Sequence, residues 1–571
     1  MKRRTGWVLA ASVLAVSLGA AAVGVLALLL KGRGTAGFSG NSYLFVRLQG
    51  EIPDQPSADL GLLLERRAPS LRTLVESLDR AAKDPKVSSV VLRVGTLPDA
   101  GWAKIQELRD AVSRFRKSGK PAYAHIEYCG NKEYYLATAC SKIYALPTAI
   151  LDVSGLSLDV TFLRHGLDKL GVEAQFEGVG KYKNAPNQFT ESSFTPPHRE
   201  QMEALVDSLF GQYLAGIASG RGKTAEEVRA IVDEGPFDAH SALKAGLVDE
   251  LLYEDELSSR MKDAERITPS RYVKASRGFS FETRPKLALV YAVGEINTGE
   301  SQNGSFGGSV AGSDTVAGAL RQARNDDAIK AVVFRVDSPG GFGPAADAIW
   351  REVALLRKSK PVVVSMGDYA ASGGYYIAMA GDVIVAEPGT LTGSIGVFSG
   401  KFSLRGLYDK LGVTKEILSR GRNASLYTEY RPWSPDERAK VRAMNVAFYE
   451  EFVRKAAEGR KTSYAEVDAV AQGRVWTGAD ALHHGLVDRL GGTDAAIAAA
   501  KEKAGIPTGR EVELVVMPER KGLFETILER QDDDVAKLTA LPLDLRLALR
   551  FVEAIKDGAP MARLPFELKV H

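Results

Sequence analysis

The apolar positions of this chain fall into three kinds of run. The first occurs once. After Lys2, Arg3 and Arg4 no charge appears from Thr5 to Leu30, and Lys31 and Arg33 close the stretch. A run of that length spans the hydrocarbon core of a bilayer as a helix. Ala20-Ala21-Ala22 offers the small residues of a signal-peptide cleavage site, but the apolar run continues to Leu28-Leu29-Leu30, which favours an uncleaved anchor. Basic residues flank both ends, so the positive-inside rule gives only a weak preference for placing the bulk of the chain outside the cytoplasm. The second kind is short and β-branched. Ala331 to Val336, Pro361 to Val364 and Asp382 to Val385 have the length and composition of buried parallel strands. The third has helical spacing: Ile349, Trp350, Val353, Ala354 and Leu356 recur on one face, closed by Arg357, Lys358 and Pro361. Strands alternating with helices predict right-handed βαβ crossovers and a largely parallel sheet covered by helices, an α/β fold.

The pattern is written twice. Gly50-Glu51-Ile52 recurs as Gly294-Glu295-Ile296, Tyr134-Tyr135-Leu136-Ala137 as Tyr375-Tyr376-Ile377-Ala378, and Gly246-Leu247-Val248-Asp249 as Gly485-Leu486-Val487-Asp488. The spacing between copies drifts slowly, as duplication with small insertions and deletions requires. Each copy is domain-sized, far longer than a solenoid unit. The organisation expected is an anchor with its flanks over 1–36, a first repeat over 37–255, a polar linker over 256–285, a second repeat over 286–492 and a C-terminal extension over 493–571. The extension reads as an Ala-rich helical stretch, a strand over Val512 to Met517, and amphipathic helices that pack on a neighbour or subunit.

Composition narrows the function. With 45% hydrophobic and 25% charged residues, 571 residues are globular and ample for two or three cores. A net charge of +3, with no basic stripe, gives no reason to expect nucleic acid. Cys129 and Cys140 lack metal-ligand spacing and read as buried reduced thiols. No metal or organic cofactor is implied.

The two copies differ where chemistry would occur. In the second, a strand leads into Ser338-Pro339-Gly340-Gly341, and another into Ala370-Ala371-Ser372-Gly373-Gly374. A serine at such a turn projects its hydroxyl at the carboxyl end of the sheet, where the following amides also point; a plain helix N-cap is the alternative. The amides of Gly341 and Gly373 could together cradle an oxyanion, because glycine lets backbone approach a ligand closely. The first copy has Leu97-Pro98-Asp99 instead, and proline has no amide proton.

A serine nucleophile needs a base. No histidine lies between Ser372 and His483, and His483-His484 reads as a solvated helix surface. Lysine is the alternative. Lys183, in Gly180-Lys181-Tyr182-Lys183-Asn184-Ala185, aligns with Arg422 of the second copy, and arginine is no base near neutral pH. A free lysine titrates near ~10.4, so burial must bring that down by about 3, equivalent to about 4 kcal/mol. Lys181 and Lys183 would share a face of an extended segment, so spacing does not choose between them. One copy has kept a serine and its glycines, the other a lysine; together they suggest one composite site.

These segments, with Leu391-Thr392-Gly393-Ser394-Ile395-Gly396, resemble the long, duplicated form of the bacterial signal peptide peptidase A (protease IV) family, from the anchor to about Gly492. The resemblance implies tandem ClpP/crotonase-like repeats and a Ser–Lys dyad that cleaves remnant signal peptides. It implies Ser372 as nucleophile, Lys183 as general base and Ser394 as the hydroxyl that holds the lysine. It also implies a homotetramer on the bacterial inner membrane, single-pass, with its catalytic domains on the periplasmic side and apolar peptides as substrates. Where the family usually has serine after the lysine, this chain has Asn184. The match of Tyr182-Lys183-Xaa-Ala favours Lys183 over Lys181. The competing functions are a crotonase-like acyl-CoA enzyme and an inactive peptide-binding membrane scaffold.

Overall fold

The computed structural model describes residues 38, 40–55, 69–276, 283–304, 308–518 and 561–563. The predicted N-terminal anchor lies outside the described residues. Among the described residues no helix is long and apolar enough to cross a membrane.

Two parallel sheets carry the chain. In the first, strands Ser42–Leu48, Val87–Val94, Ala122–Cys129 and Lys142–Leu151 pair in chain order. In the second, Lys286–Val293, Ile329–Ser338, Val362–Ala371 and Val383–Ala386 do the same. The strands of the second sheet are buried along nearly their whole length, which is why they read as continuous apolar runs. Helices Leu71–Lys83, Trp102–Lys117 and Asn131–Ala137 make the first set of crossovers; Ser313–Asn325, Gly343–Leu356 and Gly373–Ala378 make the second. Helix Leu71–Lys83 buries Leu71, Leu74, Val75, Leu78 and Ala81, a single apolar stripe turned to the sheet, and Ser70 caps it by accepting from Thr73 N. Cys129 and Cys140 are free and buried.

The segment expected to be a linker is mostly structured. Strand Glu265–Ile267 pairs with Ser42–Leu48, and helix Pro269–Ser276 buries Tyr272, whose hydroxyl donates to Asp84. With one buried residue, Ile267, the strand is too short to show a period. Strand Glu513–Met517 occupies the corresponding edge of the second sheet, beside Lys286–Val293.

A third sheet joins the repeats. Strand Glu173–Val179 of the first pairs antiparallel with Val397–Ser403 of the second over seven residues. Phe176 and Phe189 pack there against Phe398 and Phe402. Helix Pro196–Arg221 of the first repeat adds Met202 and Leu205 to an apolar cluster with Ala371, Leu391 and Val475 of the second. The chain's own residues Met561–Arg563 lie between Gly340–Phe342 and Val397–Ser403, antiparallel to both.

Candidate active site

Strand Val362–Ala371 delivers Ser372 to the start of helix Gly373–Ala378. The turn is sharp: Ser372 has φ 56° and ψ −114°, a conformation that costs a non-glycine residue of order 1–3 kcal/mol and persists only when its surroundings impose it. They do. Ser372 N donates to Gly393 O at 2.8 Å, and Tyr376 N donates to Ser372 O at 2.8 Å. The hydroxyl makes no cap bond, so it is not serving the helix.

Lys183 arrives from the other repeat, four residues past the end of the joining strand. Gly180 takes φ 103°, where a Cβ would lie 2.4 Å from the carbonyl carbon of Gln472. Tyr182 N donates to Gln472 O at 2.8 Å, and Lys183 N to Gly180 O at 3.1 Å. Gly473 closes the clamp, since a Cβ there would stand 2.6 Å from Lys183 N. The turn separates the two lysines. Lys181 is exposed and lies over the Tyr182 ring, whereas Lys183 is 5% exposed.

The Lys183 Nζ lies 2.8 Å from Ser372 Oγ, 3.0 Å from Ser394 Oγ and 3.1 Å from Ser394 O. None of these partners is a carboxylate. Burial holds the amine well below the usual lysine range. A neutral amine has two N–H donors and one lone pair, which suits Ser394 as acceptor and the Ser372 hydroxyl as donor. Ser394 is itself held at φ 49°, its N–H donating to Arg474 O at 2.7 Å. Among the described residues, Lys183 is the side chain bonded to Ser372 Oγ.

The glycines are sterically required. A Cβ on Gly341 would lie 2.1 Å from Ile296 O, and one on Gly374 2.5 Å from Ser338 O. Gly373 opens its helix, so its amide has no intrahelical partner. The reading of the sequence missed the brace behind Lys183. Arg474 Nη1 donates to Tyr182 Oη at 3.1 Å and Glu200 Oε1 at 2.9 Å, and the Tyr182 hydroxyl donates to that same oxygen at 2.7 Å. Tyr182 beside Lys183 was visible; Arg474 and Glu200 carry no local signal.

Fold and geometry together define an α/β protein with a hydroxyl and a desolvated amine at its strand ends, the equipment of a hydrolase. The chain belongs to peptidase family S49, whose profile matches residues 114–268 and 354–507, once in each repeat. It is a serine protease. It is 37% identical over 486 residues to the chloroplastic serine protease SPPA of Arabidopsis thaliana, covering 83% of this chain and 71% of that one. Protease 4 of Salmonella typhi is 32% identical over 488 residues, 81% of this chain and 78% of its own. Protease 4 of Haemophilus influenzae is 30% identical over 452 residues, 75% and 72%.

Proposed function

We propose that this chain is a membrane-anchored endopeptidase that degrades remnant signal peptides through a Ser372–Lys183 dyad. The observation that carries the reading is the 2.8 Å contact between a buried amine of one repeat and a strained serine of the other. Neutral Lys183 takes the hydroxyl proton as Ser372 Oγ attacks a peptide carbonyl. The amides of Gly341 and Gly373 receive the oxyanion, a contribution of roughly 3–4 kcal/mol per donor in measured enzymes. The Lys183 ammonium protonates the leaving amine while Ser394 accepts from it. Water, deprotonated by the regenerated amine, then releases the acyl group.

A peptide substrate is supported by the strand Met561–Arg563. The groove between Gly340–Phe342 and Val397–Ser403 takes an extended backbone antiparallel to both, the β-augmentation mode of peptide recognition. Apolar peptides released in a bilayer suit an enzyme anchored by Thr5 to Leu30. On this reading the enzyme is a single-pass protein of the bacterial inner membrane with its repeats on the periplasmic side.

The homotetramer is supported by the repeat itself. In the first copy Asp168-Lys169-Leu170-Gly171-Val172 leads into the joining strand, and a Cβ on Gly171 would meet Gly406 at 2.5 Å. The second copy has the same five residues at 409–413, but nothing lies within 4 Å of a Cβ on Gly412, and 411–420 are exposed throughout. Tyr128 and Ile150 are likewise exposed, whereas their counterparts Tyr369 and Leu391 pack in the cluster with Met202 and Leu205. A second copy supplies what each of these surfaces lacks.

A fluorophosphonate probe tests the chemistry. The wild-type chain is labelled on Ser372 and hydrolyses apolar peptides; Ser372→Ala loses both. Labelling that survives Ser372→Ala contradicts the proposal.

A further inference from the structure

A buried ion cluster lies between the repeats, beside the site. At its centre is Lys104, on helix Trp102–Lys117 of the first repeat. Its Nζ lies 2.9 Å from Asp54 Oδ2, 3.0 Å from Asp337 Oδ2 and 3.6 Å from Asp368 Oδ2. Arg335, the second cation, reaches Asp54 Oδ1 at 3.0 Å and Glu107 Oε2 at 3.1 Å. All six side chains are buried. Replacing such a cluster with apolar groups is often neutral or stabilising in proteins, so stability alone is a weak reason to place it here.

Its position gives a better one. Asp337 sits where the pairing between Ile329–Ser338 and Val362–Ala371 shifts register, between Val336 and Ser338. Irregularities of this kind re-aim strands next to active sites. The Asp337 side chain fills the gap: Oδ1 accepts from Tyr369 N at 3.0 Å, and a Cβ on Gly367 would lie 2.7 Å from Asp337 Cβ. The next residue after Asp337 begins the Ser338–Gly341 turn, and the strand carrying Asp368 ends at Ser372. Asp368 also caps the helix that carries Lys104, accepting from Gly101 N and Lys104 N at 2.9 Å each. Lys104 therefore grips both strand ends of the second repeat from a helix of the first. The corresponding helix of the second repeat, Gly343–Leu356, has Ala345 and Ala346 at this turn.

We propose that Lys104 is a positioning residue for the reaction: by bridging Asp337 and Asp368 across the irregular register, it fixes the glycine turn against the serine strand at the separation an oxyanion between Gly341 and Gly373 requires. The inference rests on the Ser372–Lys183 reading. Lys104 is not a hydrogen-bond partner of Ser372 or Lys183; it acts through the backbone that carries the donors.

The test uses the full chain with Lys104→Met and Asp337→Asn. Two inhibitors are compared, an apolar tripeptide aldehyde, whose adduct on serine carries the oxyanion, and the matching tripeptide amide, which forms no adduct. In both variants kcat should fall about ten- to a hundredfold, since small misplacements of reacting groups cost that much, with KM within about twofold. Aldehyde affinity should fall with kcat while amide affinity holds. Equal change in both affinities, or an unchanged kcat, overturns the inference. If Lys104→Met does not fold, Asp337→Asn decides, because asparagine keeps the shape and the bond from Tyr369 N. Fluorophosphonate labelling separates the two levels: a wild-type chain not labelled on Ser372 removes the dyad reading, whereas normal labelling with an unchanged aldehyde-to-amide ratio removes only the role of Lys104.

Discussion

The same strand-to-helix turn occurs in both repeats, and the two spend their polar groups differently. In the second, Val362–Ala371 ends in Ser372 at φ 56°, its hydroxyl facing Lys183. In the first, Ala122–Cys129 ends in Gly130 with ordinary extended backbone, φ −92° and ψ −168°. There Glu133 turns back and accepts from Leu97 N at 2.8 Å and Gly130 N at 3.2 Å. Asn131 stands where the second repeat has Ser372, its Oδ1 accepting from the Tyr213 hydroxyl at 2.8 Å and from Gly155 N at 3.2 Å. The second turn stores strain in a serine and leaves its helix-start amide without an internal partner. The duplicated fold brings the lysine of one repeat to the serine of the other.

The largest effect expected is on the lysine. Lys183→Arg puts a fixed cation in place of the uncharged amine and gives this repeat the residue its counterpart has at Arg422. With no base near neutral pH, kcat/KM for an apolar peptide should fall about 10³-fold or more, the scale of losing one member of a catalytic constellation. Gly473→Ala comes next. Its φ of 76° and its contact with Lys183 N leave no room for a methyl group. Strain of order 1–3 kcal/mol would displace the amine, and kcat should drop about tenfold or more, with the loss smaller for Gly505→Ala, where the space is open.

A third test concerns pH. Burial, the largest cause, acts with the negative charges of Asp54 and Asp368 against the pull of Lys104 and pushes the Asp337 carboxyl up to about 7. A carboxyl raised on folding contributes stability that is fully present below its ordinary range and is lost as pH rises through the folded value. Lys183 works the other way: its depressed value means stability is lost as pH falls through it. The difference between wild-type and Asp337→Asn urea midpoints isolates the carboxyl. That difference should change between pH 5 and pH 8, with the wild type losing ground to the variant as pH rises. The smallest expected effect on activity is Glu133→Ala. It orphans two backbone donors, costing about 1–3 kcal/mol of stability, and leaves kcat/KM within about twofold.

Much of the fold was legible because it is local. Val332 to Val336 and Val362 to Val364 declare buried strands by composition, and the paired Tyr-Tyr and Gly-Leu-Val-Asp segments declare the duplication. Ser372, Lys183 and Ser394 were also legible, and the structure brings the three together. What was hidden is non-local. Glu173–Val179 finds its partner in Val397–Ser403, more than two hundred positions away, and no periodicity encodes that choice. Spacing alone puts both lysines on one face of an extended segment, and only the motif match favours Lys183; the bond from Lys183 N to Gly180 O makes the segment a turn and sends them to different surroundings. Lys104, Asp337 and Asp368 sit on three separate elements, and their charges look like solvated surface until the fold buries them.

The account depends on an uncharged Lys183 activating Ser372, and the rate of fluorophosphonate labelling as a function of pH measures this most directly. In the wild-type chain the rate should rise with pH through a midpoint well below the usual lysine range of about 10.4 and then level off. In Lys183→Met it should be slower by about 10³-fold and nearly flat with pH, while Lys181→Met should match the wild type. Wild-type rates in Lys183→Met, or a collapse in Lys181→Met instead, would contradict it.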